Sequence, residues 1–187
     1  MNYIFTKRTT GVLLTALLSL PYGLPAYAAT NPVLGDACGL DIVLALDVSG
    51  SIDSTELTQE RDAAKAFVDA FLPATPTLMG LVQFHTSAAV VQDLTGDATD
   101  LKADIDAVSG GGLTNWEDGL LKSRGLLEAG LDRDDAVHPD LIVFFSDGDP
   151  TTSSGPGTNL ADAVTQADFA KTSASSMPIR IVAVGIG

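Results

Sequence analysis

The feature that most constrains the fold is the segment from Asp41 to Ser51, D-I-V-L-A-L-D-V-S-G-S. Ile42 to Leu46 is an unbroken apolar run of strand length. Such a run suits the centre of a parallel sheet covered on both faces, because a strand with one wet face alternates apolar and polar residues. At the carboxyl end of the run the chemistry changes abruptly to Asp47, Ser49 and Ser51. Ligands of open α/β sheets collect outside the carboxyl ends of strands, so a site is expected there.

The D-x-S-x-S spacing offers one carboxylate and two hydroxyls on a loop that Gly50 leaves free to curl. The set is all oxygen, which favours a hard dication such as Mg²⁺ or Mn²⁺ over Zn²⁺. With so few formal charges around it, the ion would seek a further anionic ligand from outside the chain. The alternative is that Asp47 and the serines only cap a helix and tighten a turn. Two later segments bear on the choice. Gly110-Gly111-Gly112-Leu113-Thr114-Asn115 is a flexible loop carrying a hydroxyl, and Ser146-Asp147-Gly148-Asp149 ends a second apolar strand, Leu141 to Phe145. Loops at the ends of neighbouring parallel strands lie side by side, so Thr114 and Asp147 can complete a shell begun by Asp47.

In Asp47, Ser49, Ser51, Thr114 and Asp147 the sequence resembles the von Willebrand factor type A domain, over about Asp41 to Gly187. That family joins a D-x-S-x-S loop, a separate Thr and a separate Asp into a metal-ion-dependent adhesion site. The resemblance implies a doubly wound, mostly parallel α/β sheet with strand order 3-2-1-4-5 and helices on both faces. It also implies that the five residues hold Mg²⁺ or Mn²⁺, directly or through water. One coordination position would stay open for a Glu or Asp carboxylate of a protein partner. In the family a further helix, strand and helix close the sheet after a segment like Ile179 to Val184, so the sequence to Gly187 is expected to be an incomplete domain.

The chain opens with Lys7 and Arg8, an apolar stretch from Gly11 to Leu20, and Pro25-Ala26-Tyr27-Ala28. This is the pattern of a secretory signal peptide cleaved after Ala28, with residues 29–40 as a linker to a domain over 41–187. The apolar core is too short to span a membrane as a helix. The formal net charge is −14, and loss of Lys7 and Arg8 with the leader takes it to −16. So acidic a surface argues against nucleic acid and against anionic membrane faces. It suits a secreted or envelope protein. Cys38 is the only cysteine. It is either a small buried hydrophobe or half of a disulfide with a partner elsewhere; some extracellular members of the resembled family clip the domain ends together in that way. The acid in Gly35-Asp36-Ala37-Cys38 argues against lipid attachment at this cysteine.

The remaining elements follow from periodicity and punctuation. Asp53 to Leu72 is expected to be a helix, with Asp53 and Glu56 as a capping box and Pro73 and Pro76 as stops. Leu57, Ala64, Phe67, Val68 and Phe71 form its apolar face, with Glu60, Arg61 and Lys65 expected elsewhere. Asp53 could also be read as an auxiliary cation ligand, but capping suffices. Leu78 to Phe84 and Ala88 to Val91 read as an antiparallel hairpin at the sheet edge. Short helices are expected over Leu101 to Val108, Trp116 to Gly130 and Leu160 to Ser173, and a last strand over Ile179 to Val184. Trp116, Leu120, Leu121 and Leu127 give the second of these helices its apolar side, and Thr114 just before it could simply cap. Pro150 to Thr158 is a polar loop on the same edge as the site.

An enzyme is the competing class. A metal held by this cluster could activate water for hydrolysis, or Asp47, His85 and a serine could form a triad. Metallophosphatases generally use more acidic or His ligands, and the chain has no G-x-S-x-G elbow. The expectation is therefore a non-enzymatic binding domain. A non-functional remnant whose truncated sheet does not fold is the third reading.

Overall fold

A computed structural model describes residues 29–31, 39–72, 74–172 and 177–187. The expected leader over residues 1–28, Cys38 and the helix stop at Pro73 lie outside the described residues. In chain order the elements are β1 (Asp41–Asp47), α1 (Ser54–Phe71), β2 (Leu78–Phe84), β3 (Ala88–Thr95), α2 (Ala98–Ala107), α3 (Trp116–Leu127), β4 (Asp140–Ser146), α4 (Asn159–Thr172) and β5 (Arg180–Gly185). They form one five-stranded sheet in the order β3-β2-β1-β4-β5. All neighbours are parallel except β2 and β3, which are antiparallel.

The unbroken apolar run of β1 has a direct explanation in the two layers that cover it. Ile42, Leu44 and Leu46 pack on one face with Ala64 and Val68 of α1 and Leu101 and Ile105 of α2. Val43 and Ala45 pack on the other with Leu120 and Leu127 of α3 and Ala163 and Ala170 of α4. Side chains alternate across a strand, so a central strand between two helical layers needs apolar residues at every position. The order β3-β2-β1-β4-β5 places the strand change on either side of β1. Its carboxyl end therefore lies in the crevice where a doubly wound sheet collects ligands.

α1 begins on the expected box: Asp53 accepts from the Thr55 and Glu56 backbone N–H groups, and Glu56 reaches back to the Asp53 N–H at 2.8 Å. Its apolar stripe contains one residue that the sequence reading put elsewhere. Glu60 is fully buried, between Leu57 and Ala64 on the core side of α1. β3 runs to Thr95, four residues past the expected Val91. The polar pair Gln92 and Asp93 masked its second half, which Leu94, buried at 2% exposure, anchors to the sheet. Leu121, expected on the packed side of α3, is exposed, and Leu126 is buried instead. α3 stops at Leu127, short of the expected Gly130, which takes a φ of 74° that only glycine adopts easily.

At the opposite end of the sheet from the Asp47 loop, Asp41 and Asp140 begin adjacent strands in register, and both are fully buried. Arg133, in the α3–β4 connection, reaches Asp41 through its Nε at 3.0 Å and its backbone N–H at 3.1 Å. Burial, and then the charges of Asp132 and Asp41, push the Asp140 carboxyl up to about 8, with Arg180 opposing. The residues 29–31 lie beside the outer strand: the Asn31 side chain donates to the Ile181 carbonyl at 2.9 Å and accepts from its N–H at 3.0 Å. That pairing satisfies backbone groups on the outer edge of β5.

Candidate metal centre

Three loops converge at the carboxyl end of β1. The first follows β1 itself. The Ser49 N–H donates to Asp47 Oδ1 at 2.9 Å, which curls the loop back on its own carboxylate and turns the Ser49 and Ser51 hydroxyls to the same side, 3.1 Å apart. The second follows β4: Ser51 Oγ donates to Asp147 Oδ1 at 3.0 Å. The third precedes α3, where Thr114 Oγ1 donates to Ser49 Oγ at 3.0 Å. Asp47, Ser49, Ser51, Thr114 and Asp147 thus form one connected oxygen cluster, although 96 positions separate Ser51 from Asp147.

The Thr114 loop reaches the cluster through glycines. Gly112 has a φ of 95°, in the region open to glycine, and its carbonyl accepts from the Gly50 N–H at 2.9 Å. Thr114 is not the helix cap. Asn115 takes that role by accepting from the Asp118 N–H at 3.0 Å, which leaves the Thr114 hydroxyl for Ser49. The loop after β4 is fastened to the same place, since the Thr151 and Thr152 N–H groups both donate to the Thr114 carbonyl.

Exposure grades across the cluster. Asp47, Ser49 and Thr114 are buried, Asp147 is half-buried and Ser51 is exposed, so the oxygens open to solvent on the Ser51 and Asp147 side. A cleft of about 370 Å³ adjoins that opening, lined by Trp116, Phe144, Ser146, Asp147 and Ala183 among others. Burial raises the pKa of Asp47; hydrogen bonds from Ser49 and Ser146 pull it back, and the charge of Asp147 adds to the rise. A dication among these oxygens would favour the charged form of Asp47. The donor set is all oxygen and matches Mg²⁺, Mn²⁺ or Ca²⁺.

Two supporting residues were not singled out from the sequence. Ser146, the last residue of β4, donates to Asp47 Oδ2 at 2.7 Å and accepts from the Trp116 indole at 3.1 Å. Glu60 accepts the Asp47 N–H at 2.9 Å, and its other oxygen has no hydrogen-bond partner. Desolvation drives the Glu60 carboxyl from its ordinary 4.5 to about 8. The spacing Leu57, Glu60, Ala64, Val68 already placed Glu60 inside the apolar stripe. His85, the third member of the weighed triad, accepts the Thr86 N–H on its Nδ1 at 2.8 Å. That ring nitrogen is therefore directed at its own turn.

A doubly wound sheet of this order, with such a cluster at the crevice, defines a known class. The chain belongs to the von Willebrand factor type A domain family, whose sequence profile matches residues 41–187. Among solved structures, it is similar to manganese-loaded TRAP protein of Plasmodium vivax, with a TM-score of 0.61 and 18% identity over 80% of this chain and 58% of that one. It is similar also to proximal thread matrix protein 1 of the mussel byssus with a zinc-occupied MIDAS motif, with a TM-score of 0.59 and 19% identity over 80% of this chain and 38% of that one. A third likeness is to the vWF domain of the type V pili tip protein Mfa5 of Porphyromonas gingivalis, with a TM-score of 0.56 and 22% identity over 66% of this chain and 44% of that one. The chain thus spans less than half of the Mfa5 structure, and at such identities the likeness establishes the fold. No curated protein sequence matches the chain.

Proposed function

We propose that this is a divalent-cation-dependent protein-binding domain of adhesion or assembly type. Asp47, Ser49, Ser51, Thr114 and Asp147 would hold Mg²⁺ or Mn²⁺, directly or through water. A coordination position on the open side would accept a Glu or Asp carboxylate of the partner. The observation that carries the reading is the convergence of three hydroxyls and two carboxylates from three loops, linked by contacts of 3.0 to 3.1 Å and open on one side. An ion held mostly by neutral hydroxyls with a coordination position open to solvent would take an incoming carboxylate oxygen as a hard anionic ligand. The adjoining cleft beside Trp116 and Ala183 would take the apolar part of the partner segment. The manganese of the TRAP structure and the zinc in the MIDAS motif of the mussel protein support a divalent ion of some kind here.

Thermal melts with and without millimolar Mg²⁺ or Mn²⁺ test the site. The ion should stabilise the wild type by about 2.7 kcal/mol at a hundred times its dissociation constant. It should leave Asp47→Ala and Asp147→Ala unmoved. The open position is tested separately with Mn²⁺ bound: acetate should change the paramagnetic resonance spectrum of the ion where chloride does not. A wild type that melts cooperatively and ignores both ions would reduce these residues to caps and turns.

Export to the envelope or cell surface follows from the leader-like residues 1–28, and among the described residues no helix is long and apolar enough to cross a membrane. Cleavage after Ala28 would convert the Ala29 N–H, which donates to Asp168 Oδ1 at 2.6 Å, into an ammonium facing that carboxylate. Lys171 already holds the Ala29 carbonyl at 2.8 Å. Intact mass of the exported chain is expected to start at Ala29; a start at Met1 in the exported fraction would refute the processing.

A further inference from the structure

The far end of the sheet carries a second group of oxygen ligands. Asp41 and Asp140 start β1 and β4 in register, and the α3–β4 connection brings Asp132 over them. One carboxylate oxygen from each of the three lies within 4.8 Å of the others. An ion that bonds oxygen at roughly 2.4 Å joins ligands up to about twice that distance apart, so the three carboxylates are spaced closely enough for a single Ca²⁺ to bridge them.

An acidic cluster alone would not identify a ligand. The independent observation is Asp140. It is fully buried, and among the described residues neither of its carboxylate oxygens has a hydrogen-bond partner; Asp132, half-buried and bonded to Asp41, likewise leaves its Oδ1 unpartnered. Buried carboxylates in folded proteins are almost always hydrogen-bonded, paired or metal-bound, because desolvating an unsatisfied one is costly. Arg133 does not remove the difficulty. Its guanidinium is spent on Asp41, on the Leu40 carbonyl at 3.1 Å and on the Pro76 carbonyl. Arg180, on β5, lowers the cost to Asp140 by its charge.

We propose that Asp41, Asp132 and Asp140 form a second cation site, selective for Ca²⁺, at the end of the sheet opposite Asp47. Selectivity follows from burial. Mg²⁺ sheds its water reluctantly and keeps several water ligands, whereas Asp41 and Asp140 are closed to solvent; Ca²⁺ accepts irregular shells of protein oxygen. The ion would fasten the α3–β4 connection to the starts of two central strands. The same connection is held on its far side by Asp134, which accepts the Met177 N–H at 2.7 Å. Ca²⁺ here would act on stability independently of the Asp47 site.

The test is equilibrium dialysis of radioactive Ca²⁺ against the full chain in excess Mg²⁺, with a thermal melt of each sample. One Ca²⁺ per chain is expected in the wild type and in Asp47→Ala, with a rise in melting temperature in both. Asp132→Asn and Asp140→Asn should each weaken that binding about tenfold or more, through loss of ligand charge. Asp132 is half-exposed on a connection, so its variant keeps the test available if Asp140→Asn does not fold. Absence of Ca²⁺ binding, its disappearance in Asp47→Ala, or undiminished binding in Asp132→Asn overturns the proposal.

Discussion

Glu60→Gln is expected to stabilise the chain at alkaline pH by about 3–5 kcal/mol, and to have little effect below pH 4.5, in buffer containing a chelator. The buried carboxyl takes up its proton below about 8, whereas in the unfolded chain it ionises near 4.5. Between those values the folded state binds more protons than the unfolded state, so stability falls as pH rises and levels off above about 8. The full span of about 3.5 units, at 1.36 kcal/mol each, sets the upper end of the range. Glutamine keeps an oxygen for the Asp47 N–H, now held at 2.9 Å, and removes the charge. The difference between variant and wild type should therefore grow with pH, read from denaturant unfolding at pH 5, 7 and 9. Parallel stability curves would show that Glu60 does not titrate in the folded chain. Saturating Mg²⁺ should shrink the difference, because a cation on Asp47 favours the charged form of its neighbour.

Nothing in the residue type of the buried Glu60 announces that effect. Glu60 sits at helical spacing from Leu57 and Ala64, yet a glutamate is ordinarily assigned to the wet face of a helix. The pattern placed it correctly and the residue type misled. The convergence of Asp47, Ser49, Ser51, Thr114 and Asp147 was legible for the opposite reason. Oxygen-bearing residues such as Asp47, Ser49, Ser51 and Asp147 are unusual just past apolar strands, Thr114 is marked by the glycine run before it, and the order of an α/β sheet decides which loops become neighbours. Ser146 carries no such mark: a serine ending a strand is common, and only the structure shows it between Trp116 and Asp47. The second half of β3 was lost to Gln92 and Asp93, since an edge strand tolerates polar residues on its outer face. Asp41 was legible only as the start of a strand, and Asp140 just before Leu141 carried no mark at all. What brings them together is strand register, which lies beyond local pattern.

The site also depends on how close one loop can come to another, and Gly110→Ala is expected to test that. A Cβ on Gly110 would lie 2.5 Å from the Val48 carbonyl oxygen and 2.6 Å from Val48 Cγ2. Val48 cannot yield: it is buried between Asp47 and Ser49, and its N–H donates to the Phe84 carbonyl at 2.8 Å. The Gly110 loop must lift instead, drawing the Gly112 carbonyl from the Gly50 N–H and the Thr114 hydroxyl from Ser49. Overpacking of this kind costs about 1–3 kcal/mol in the chelated chain. The larger effect should fall on the ion. If loss of the Thr114 contact weakens Mg²⁺ or Mn²⁺ binding about a hundredfold, the stabilisation of about 2.7 kcal/mol expected of the wild type nearly vanishes at the same ion concentration. Gly148→Ala is the control, because it adjoins Asp147 and its added Cβ would meet nothing within 4 Å. Titration calorimetry with Mn²⁺ beside chelated melts separates the two terms. An alanine at 110 that lowers stability but binds Mn²⁺ as the wild type does would show that Thr114 is not part of the ion's shell.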